Sequence, residues 1–125
     1  MIQTFFTVAL GGAIGSGSRY LVNVATGRIF GMGFPFGTVT VNILGSMLMG
    51  VMVVVMAHRD GMRFAPFLMT GVLGGFTTFS AFSLDALTLW ERGQTGLAAA
   101  YVAGSVAAAL VGIVAGMALA RGWFV

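Results

Sequence analysis

The charged residues divide the chain into long apolar stretches. Uncharged runs extend over residues 1–18, 29–57, 64–84 and 93–120. Each run approaches or exceeds the roughly 20 residues that a helix needs to cross the hydrocarbon core of a bilayer. We therefore predict a single all-α integral membrane domain over residues 1–125, with four crossings at about 3–26, 37–57, 64–90 and 97–120.

The composition supports lipid as the main solvent. Hydrophobic residues make up 58% of the chain and charged residues 7%, whereas about 25% of a soluble domain is charged. The 20 glycines predict close packing between helices, because small residues let helix backbones approach in a membrane. No Lys or Arg precedes Arg19, so we interpret the first run as a mature helix rather than a signal peptide.

The six arginines are divided equally between the two sides of the predicted bundle. Because Lys and Arg counts set orientation, a tie predicts insertion either way up and antiparallel homodimers of one sequence. One orientation set by a slighter bias is the alternative. Arg59, Arg63 and Arg121 lie on the side of the termini, and Arg19, Arg28 and Arg92 on the other.

The third crossing is too long for one unbroken helix. About 27 helical residues would extend roughly 40 Å, against a core of about 30 Å. The glycine pair at the start of residues 74–78 predicts a break there, because glycine favours helix weakly and adopts positive φ freely. Carbonyls released in a membrane need a partner, and a monovalent cation such as Na⁺ shared by two copies would serve. A glycine kink for packing is the alternative.

Polar side chains follow the helical period on two other crossings. Thr38, Asn42 and Ser46 are four residues apart, and Tyr101 and Ser105 repeat that spacing. They could line a pore, or they could join helices by hydrogen bonds.

Two further features could bind or attract an anion. Phe76, Phe79 and Phe82 recur three residues apart, and aromatic ring edges carry the positive side of the quadrupole. Ordinary aromatic packing is the default for such a stripe. Arg19 could draw anions toward a vestibule, or could anchor its helix by extending to the interface.

Several function classes are excluded by what the sequence lacks. There is no cysteine, and a single histidine cannot build a metal site alone. Scattered arginines form no patch for nucleic acid, and neither a nucleotide-binding loop nor a nucleophile–base pair is present, so we expect no enzyme. Coupled transport is not expected, because the only ionisable candidates at depth are Arg19 and Asp85, the latter placed near a helix end.

Three segments together resemble the small fluoride channels of the Fluc (CrcB) family. They are Gly11-Gly12 with Gly15 and Arg19-Tyr20, then residues 37–42 (GTVTVN), and above all residues 74–83 (GGFTTFSAFS). The resemblance covers nearly the whole chain. Phe76 stands where a Leu is frequent and Ala81 where a Thr is frequent, and neither departure touches the two aligned Phe positions.

This resemblance implies a passive exporter of fluoride from a prokaryotic cytoplasm across the inner membrane, built as an antiparallel, dual-topology homodimer with two pores. It also implies a structural Na⁺ that is not transported, held by the backbone carbonyls of Gly74 and Thr77 from each subunit. The remaining implied roles are pore donor for Asn42, anion-facing rings for Phe79 and Phe82, polar track for Thr38, Tyr101 and Ser105, and vestibule for Arg19.

Two rival functions remain on the same architecture. A small multidrug-type transporter would need a carboxylate in the first helix, and this helix has none. A non-transporting membrane anchor subunit would suit the glycine-rich packing but would leave Asn42 and the Phe stripe without a shared purpose.

Overall fold

The computed structural model describes all 125 residues, and every regular element is helical. The long helices end within four residues of the expected bounds, and the third region, for which one break was expected, is divided into several pieces. The elements are α1 (Ile2–Phe30), α2 (Phe36–His58), a 3₁₀ turn (Met62–Phe64), a π-helix (Pro66–Leu73), α3 (Gly74–Phe76), α4 (Ser80–Glu91) and α5 (Thr95–Gly122).

The exterior of the bundle is apolar. Only 20 of 125 residues are buried, and large apolar side chains are exposed on every long helix. Three regions are long and apolar enough to cross a membrane, namely Phe36–His58, Met62–Glu91 and Thr95–Gly122. The chain therefore has the character of an integral membrane protein. α1 has sufficient length, at 29 residues, but is not among the three, because glycine, hydroxyl and amide residues interrupt its apolar positions.

Glycines bring the helices into backbone contact. α2 packs along α5, and α1 packs along the segment 66–76. A Cβ atom added at Gly50 would collide with the carbonyl oxygen of Ile113 on α5, and one at Gly15 would collide with that of Val72. These helix pairs therefore depend on small residues, as expected where no hydrophobic effect drives association.

The break in the third region lies three residues later than the sequence predicts. Gly74 and Gly75 are helical, with φ −63° and ψ −37° at Gly74, whereas Thr77 is extended, with φ −87° and ψ 160°. The expectation that the glycines themselves unwind is wrong. A Cβ atom at Gly75 would lie 2.7 Å from the carbonyl oxygen of Gly12, so this glycine is needed for close approach to α1. Between Met62 and Glu91 the chain is non-helical only at residues 77–79.

Candidate functional site

Asn42 holds the break in place. Its Nδ2 donates a hydrogen bond of 2.9 Å to the carbonyl oxygen of Thr78, and its Oδ1 accepts one of 2.8 Å from the amide of the same residue. The Thr78 hydroxyl in turn accepts a bond of 3.1 Å from the amide of Ala81, at the start of α4. One hydrogen of the Asn42 amide remains free for a ligand, because an NH₂ group carries two donors.

This arrangement releases two backbone carbonyls. In an unbroken helix the Thr78 amide would donate to the carbonyl of Gly74, and the Ala81 amide to that of Thr77. Both amides donate elsewhere, and neither carbonyl accepts a hydrogen bond. Gly74 is exposed on the surface of the single chain and Thr77 is half-buried.

Arg19 binds the carbonyl of Gly75, which lies between Gly74 and Thr77 in the sequence. Its Nε donates a hydrogen bond of 3.1 Å to the carbonyl oxygen of Gly75, and its side chain is half-buried. The glycines of α1 place it there, since Gly15 and Gly11 pack against the backbone of the segment 66–76 one turn and two turns earlier, respectively. Arg19 lines neither of the two grooves described below.

A groove of about 310 Å³ runs beside the break, between α2, α4 and α5. No ionisable side chain lines it. The Ser105 hydroxyl lies in this groove, is buried and has no hydrogen-bond partner, and the whole residue is only 8% exposed. Nearly all buried polar groups in proteins are paired, so this unpaired hydroxyl is a donor available to a ligand. The predicted site residues in the lining are Asn42, Thr77, Phe79, Phe82 and Ser105, and Ser46 joins them.

The phenylalanine stripe divides between two environments. Phe79 is 76% exposed and Phe82 is 9% exposed, and their ring centroids are 5.5 Å apart at an interplanar angle of 52°. Both rings line the groove, whereas Phe76 is buried outside it. The regular spacing therefore does not give the three rings one role.

Asp85 organises the other predicted polar residues. Its Oδ2 accepts a hydrogen bond of 2.7 Å from the Thr38 hydroxyl and one of 3.1 Å from the Tyr101 hydroxyl. Asp85 lies near the middle of the short α4, six residues before that helix and the third membrane region end at Glu91. It also lines a second cavity, of about 360 Å³, together with Thr38 and Arg92.

The structure thus brings the predicted polar residues into two adjoining groups. The Phe82 ring joins them, because its centroid lies 5.3 Å from that of Tyr101 while the ring also lines the groove. Sequence reasoning missed Asp85 as a member. Its position three residues after Phe82 was the available signal, since residues three apart share a helix face.

The chain is similar to known proteins over nearly its whole length. The family model described as CrcB-like protein, Camphor Resistance (CrcB), matches residues 6–117. A "Fluoride-specific ion channel FluC" of Cereibacter sphaeroides (strain ATCC 17029 / ATH 2.4.9) is 66% identical over 123 residues, with 98% of each chain covered. Proteins of the same name are 55% identical in Paracoccus denitrificans, with 99% of each chain covered, and 52% identical in Agrobacterium fabrum, with 94% of this chain and 95% of the relative covered. This chain belongs to the CrcB family.

Proposed function

We propose that the protein is a fluoride-selective channel that lets fluoride leave the bacterial cytoplasm passively across the inner membrane. The buried, unpartnered Ser105 hydroxyl is the observation that carries this proposal. It offers a hydrogen-bond donor inside a groove that otherwise presents neutral polar groups and aromatic rings. The names of the relatives, which cover nearly the whole chain, point to the same substrate.

The groove has the chemistry that a small, strongly hydrated anion requires. A permeation path must replace the water around the ion while binding it weakly enough to release it. Ser105 and the free hydrogen of Asn42 supply neutral donors, and the edges of Phe79 and Phe82 supply a weaker positive potential. A full positive charge in the groove would hold the ion more tightly, and none lines it.

Asp85 competes with fluoride for hydrogen-bond donors at the other end of this path. Thr38 and Tyr101 both donate to the same carboxylate oxygen. Fluoride reaching these hydroxyls must therefore compete with Asp85 for their protons, so each hydroxyl rotates from the carboxylate to the ion as the ion passes. This competition keeps the donors oriented between ions and makes release easier.

A structural sodium ion fits the carbonyls of Gly74 and Thr77. Both oxygens lack a hydrogen-bond donor because Asn42 and Thr78 engage the amides that a helix would supply. Two copies of the chain would contribute four such oxygens, which suits a hard monovalent cation. Bound there, sodium would supply the positive charge that these carbonyls need away from water.

The working unit in this proposal is an antiparallel homodimer in which each chain crosses the membrane four times. α1 completes the set of four crossings with the three apolar regions named above, and its 29 residues are long enough to span the bilayer. The exposure of Gly74 and of the Phe79 ring supports a second copy over this face, because the groove would otherwise open to lipid. The equal division of arginines supports both orientations.

Fluoride efflux from liposomes tests the function directly. Purified protein is reconstituted into vesicles loaded with potassium fluoride, and a fluoride electrode records release after valinomycin is added to compensate charge. We expect rapid release of fluoride and far slower release of chloride from matched vesicles. An absence of fluoride release from correctly inserted protein would refute the channel.

The absence of native cysteine makes the topology measurable. Gln94→Cys places one thiol in the exposed loop before α5, and Asp60→Cys places one at the opposite end of the bundle. With dual topology, an impermeant maleimide added outside intact cells labels about half of each variant. Complete labelling of one variant and none of the other would establish a single orientation.

A further inference from the structure

Arg19 binds one of four carbonyls that the break leaves without backbone donors. The carbonyls of Gly74, Gly75, Thr77 and Thr78 all lose their helical partners. That of Gly75 gains the Arg19 Nε at 3.1 Å and that of Thr78 gains the Asn42 Nδ2 at 2.9 Å, so those of Gly74 and Thr77 remain without a donor. The arginine therefore decides how many oxygens face a cation at this point and also places a positive charge beside them.

We infer that Arg19 makes the proposed sodium site selective against divalent cations. This inference rests on the proposed function, because it assumes that two copies of the chain share the Gly74 and Thr77 carbonyls. Arg19 is then a specificity-determining residue of the cation site, a different role from that of a vestibule residue attracting anions.

Two physical effects act in the same direction. The repulsion between the guanidinium and a bound ion is proportional to the charge of the ion, so it is twice as large for Ca²⁺ as for Na⁺. Calcium also requires six to eight oxygen ligands, generally including carboxylates. With Gly75 engaged by Arg19, each copy offers two neutral oxygens, and the dimer falls short of the calcium requirement.

Removing the arginine changes both the charge beside the site and the number of carbonyl oxygens that are free to bind a cation. Arg19→Met keeps an unbranched side chain on α1 but eliminates the charge and the donor. The carbonyl of Gly75 in each copy becomes free, which raises the available oxygens from four to six. We expect the apparent calcium affinity to rise by at least about tenfold.

Thermal unfolding of the detergent-solubilised dimer measures this without any flux assay. The Tm of wild type and of Arg19→Met is recorded in sodium, calcium and N-methylglucamine chlorides at matched ionic strength. We expect sodium but not calcium to raise the Tm of wild type, and calcium to raise the Tm of Arg19→Met. Arg28→Met is the matched control, because Arg28 lies exposed on the same helix without a hydrogen bond.

The outcomes separate the inference from the proposal beneath it. A wild type whose Tm does not respond to sodium would refute the sodium site itself. A sodium-responsive wild type beside an Arg19→Met variant that calcium does not stabilise would refute only the role of Arg19. If Arg19→Met does not fold, wild type still decides, since equal stabilisation by calcium and sodium would overturn the inference.

Discussion

Replacing Asn42 with Ala should destabilise the protein through the broken turn rather than through lost packing. The substitution removes both hydrogen bonds to the backbone of Thr78, at 2.9 and 2.8 Å. The Thr78 amide and carbonyl then lose their partners in a half-buried, water-poor position. Thr38, one turn earlier on α2, does not replace the amide, because its hydroxyl is bound to Asp85.

The expected loss of stability follows from these two groups. Leaving a buried donor or acceptor unpaired costs about 1–3 kcal/mol, so two groups cost about 2–6 kcal/mol. Measured side-chain bonds within membranes average about 0.6 kcal/mol, which sets a lower bound of about 1 kcal/mol for the pair. We therefore expect Asn42→Ala to reduce the free energy of unfolding by about 3 kcal/mol.

Titration from dodecyl maltoside into sodium dodecyl sulfate, followed by circular dichroism, measures this change. Protein concentration must be held constant, because the stability of a dimer depends on it. Asn23→Ala is the matched control, since Asn23 is the only other asparagine and makes no side-chain hydrogen bond through its amide.

The result that would refute this reasoning is a stability of Asn42→Ala within about 0.5 kcal/mol of wild type, which is the range of ordinary surface changes. The break would then be maintained by something other than Asn42. Equal losses of stability in Asn23→Ala and Asn42→Ala would also contradict it, because the effect would then not be specific to the hydrogen bonds between Asn42 and Thr78.

Three other predictions concern flux and packing. Ser105→Ala should slow fluoride flux about tenfold or more while leaving stability unchanged or slightly raised, because the hydroxyl has no partner to lose; an unchanged flux would remove Ser105 from the path. Phe79→Ile and Phe82→Ile should each abolish fluoride efflux from liposomes while preserving the dimer on size exclusion, and normal conduction in both would show that ring edges are not used. Gly15→Ala should cost about 1–3 kcal/mol in the detergent titration through its collision with the Val72 carbonyl, whereas Gly17→Ala, with open space around it, should be tolerated.

The helices could be predicted from the sequence because charge and length limit them strongly. Charged residues end each apolar run, and Pro35 and Pro66 mark the starts of two helical regions, where a missing amide costs little. The eight-residue π-helix from Pro66 to Leu73 could not be predicted, because no local pattern distinguishes it from an α-helix. Its winding is visible only in the packed structure.

The position of the break was displaced for a physical reason. Helix propensity favours unwinding at Gly74 and Gly75, yet Gly75 is required for contact with Gly12 on α1. The chain unwinds instead where Asn42 captures the Thr78 amide. A long-range hydrogen bond from another helix decides the location, and the periodicity of a single sequence does not reveal such a bond.

The residues of the candidate site could be predicted in identity but not in grouping. Their spacing and the family resemblance together identify Asn42, Phe82 and Ser105 as candidates, and all three line one groove. The spacing also places Thr38 on the face of Asn42, but the structure gives Thr38 to Asp85. The pairing of polar side chains by hydrogen bonds depends on the rotation of the helices and on the distances between them, and both are fixed only when the helices pack.

Asn42 links the two proposed ion sites, because one side chain serves both. By engaging the Thr78 amide it frees the Gly74 carbonyl for a cation, and its remaining amide hydrogen belongs to the groove proposed for the anion. In the proposed dimer, a sodium ion at the break would therefore add positive potential beside the groove without placing a charged side chain in it. Such a distant, fixed charge attracts fluoride while leaving its direct contacts weak, which favours both entry and release.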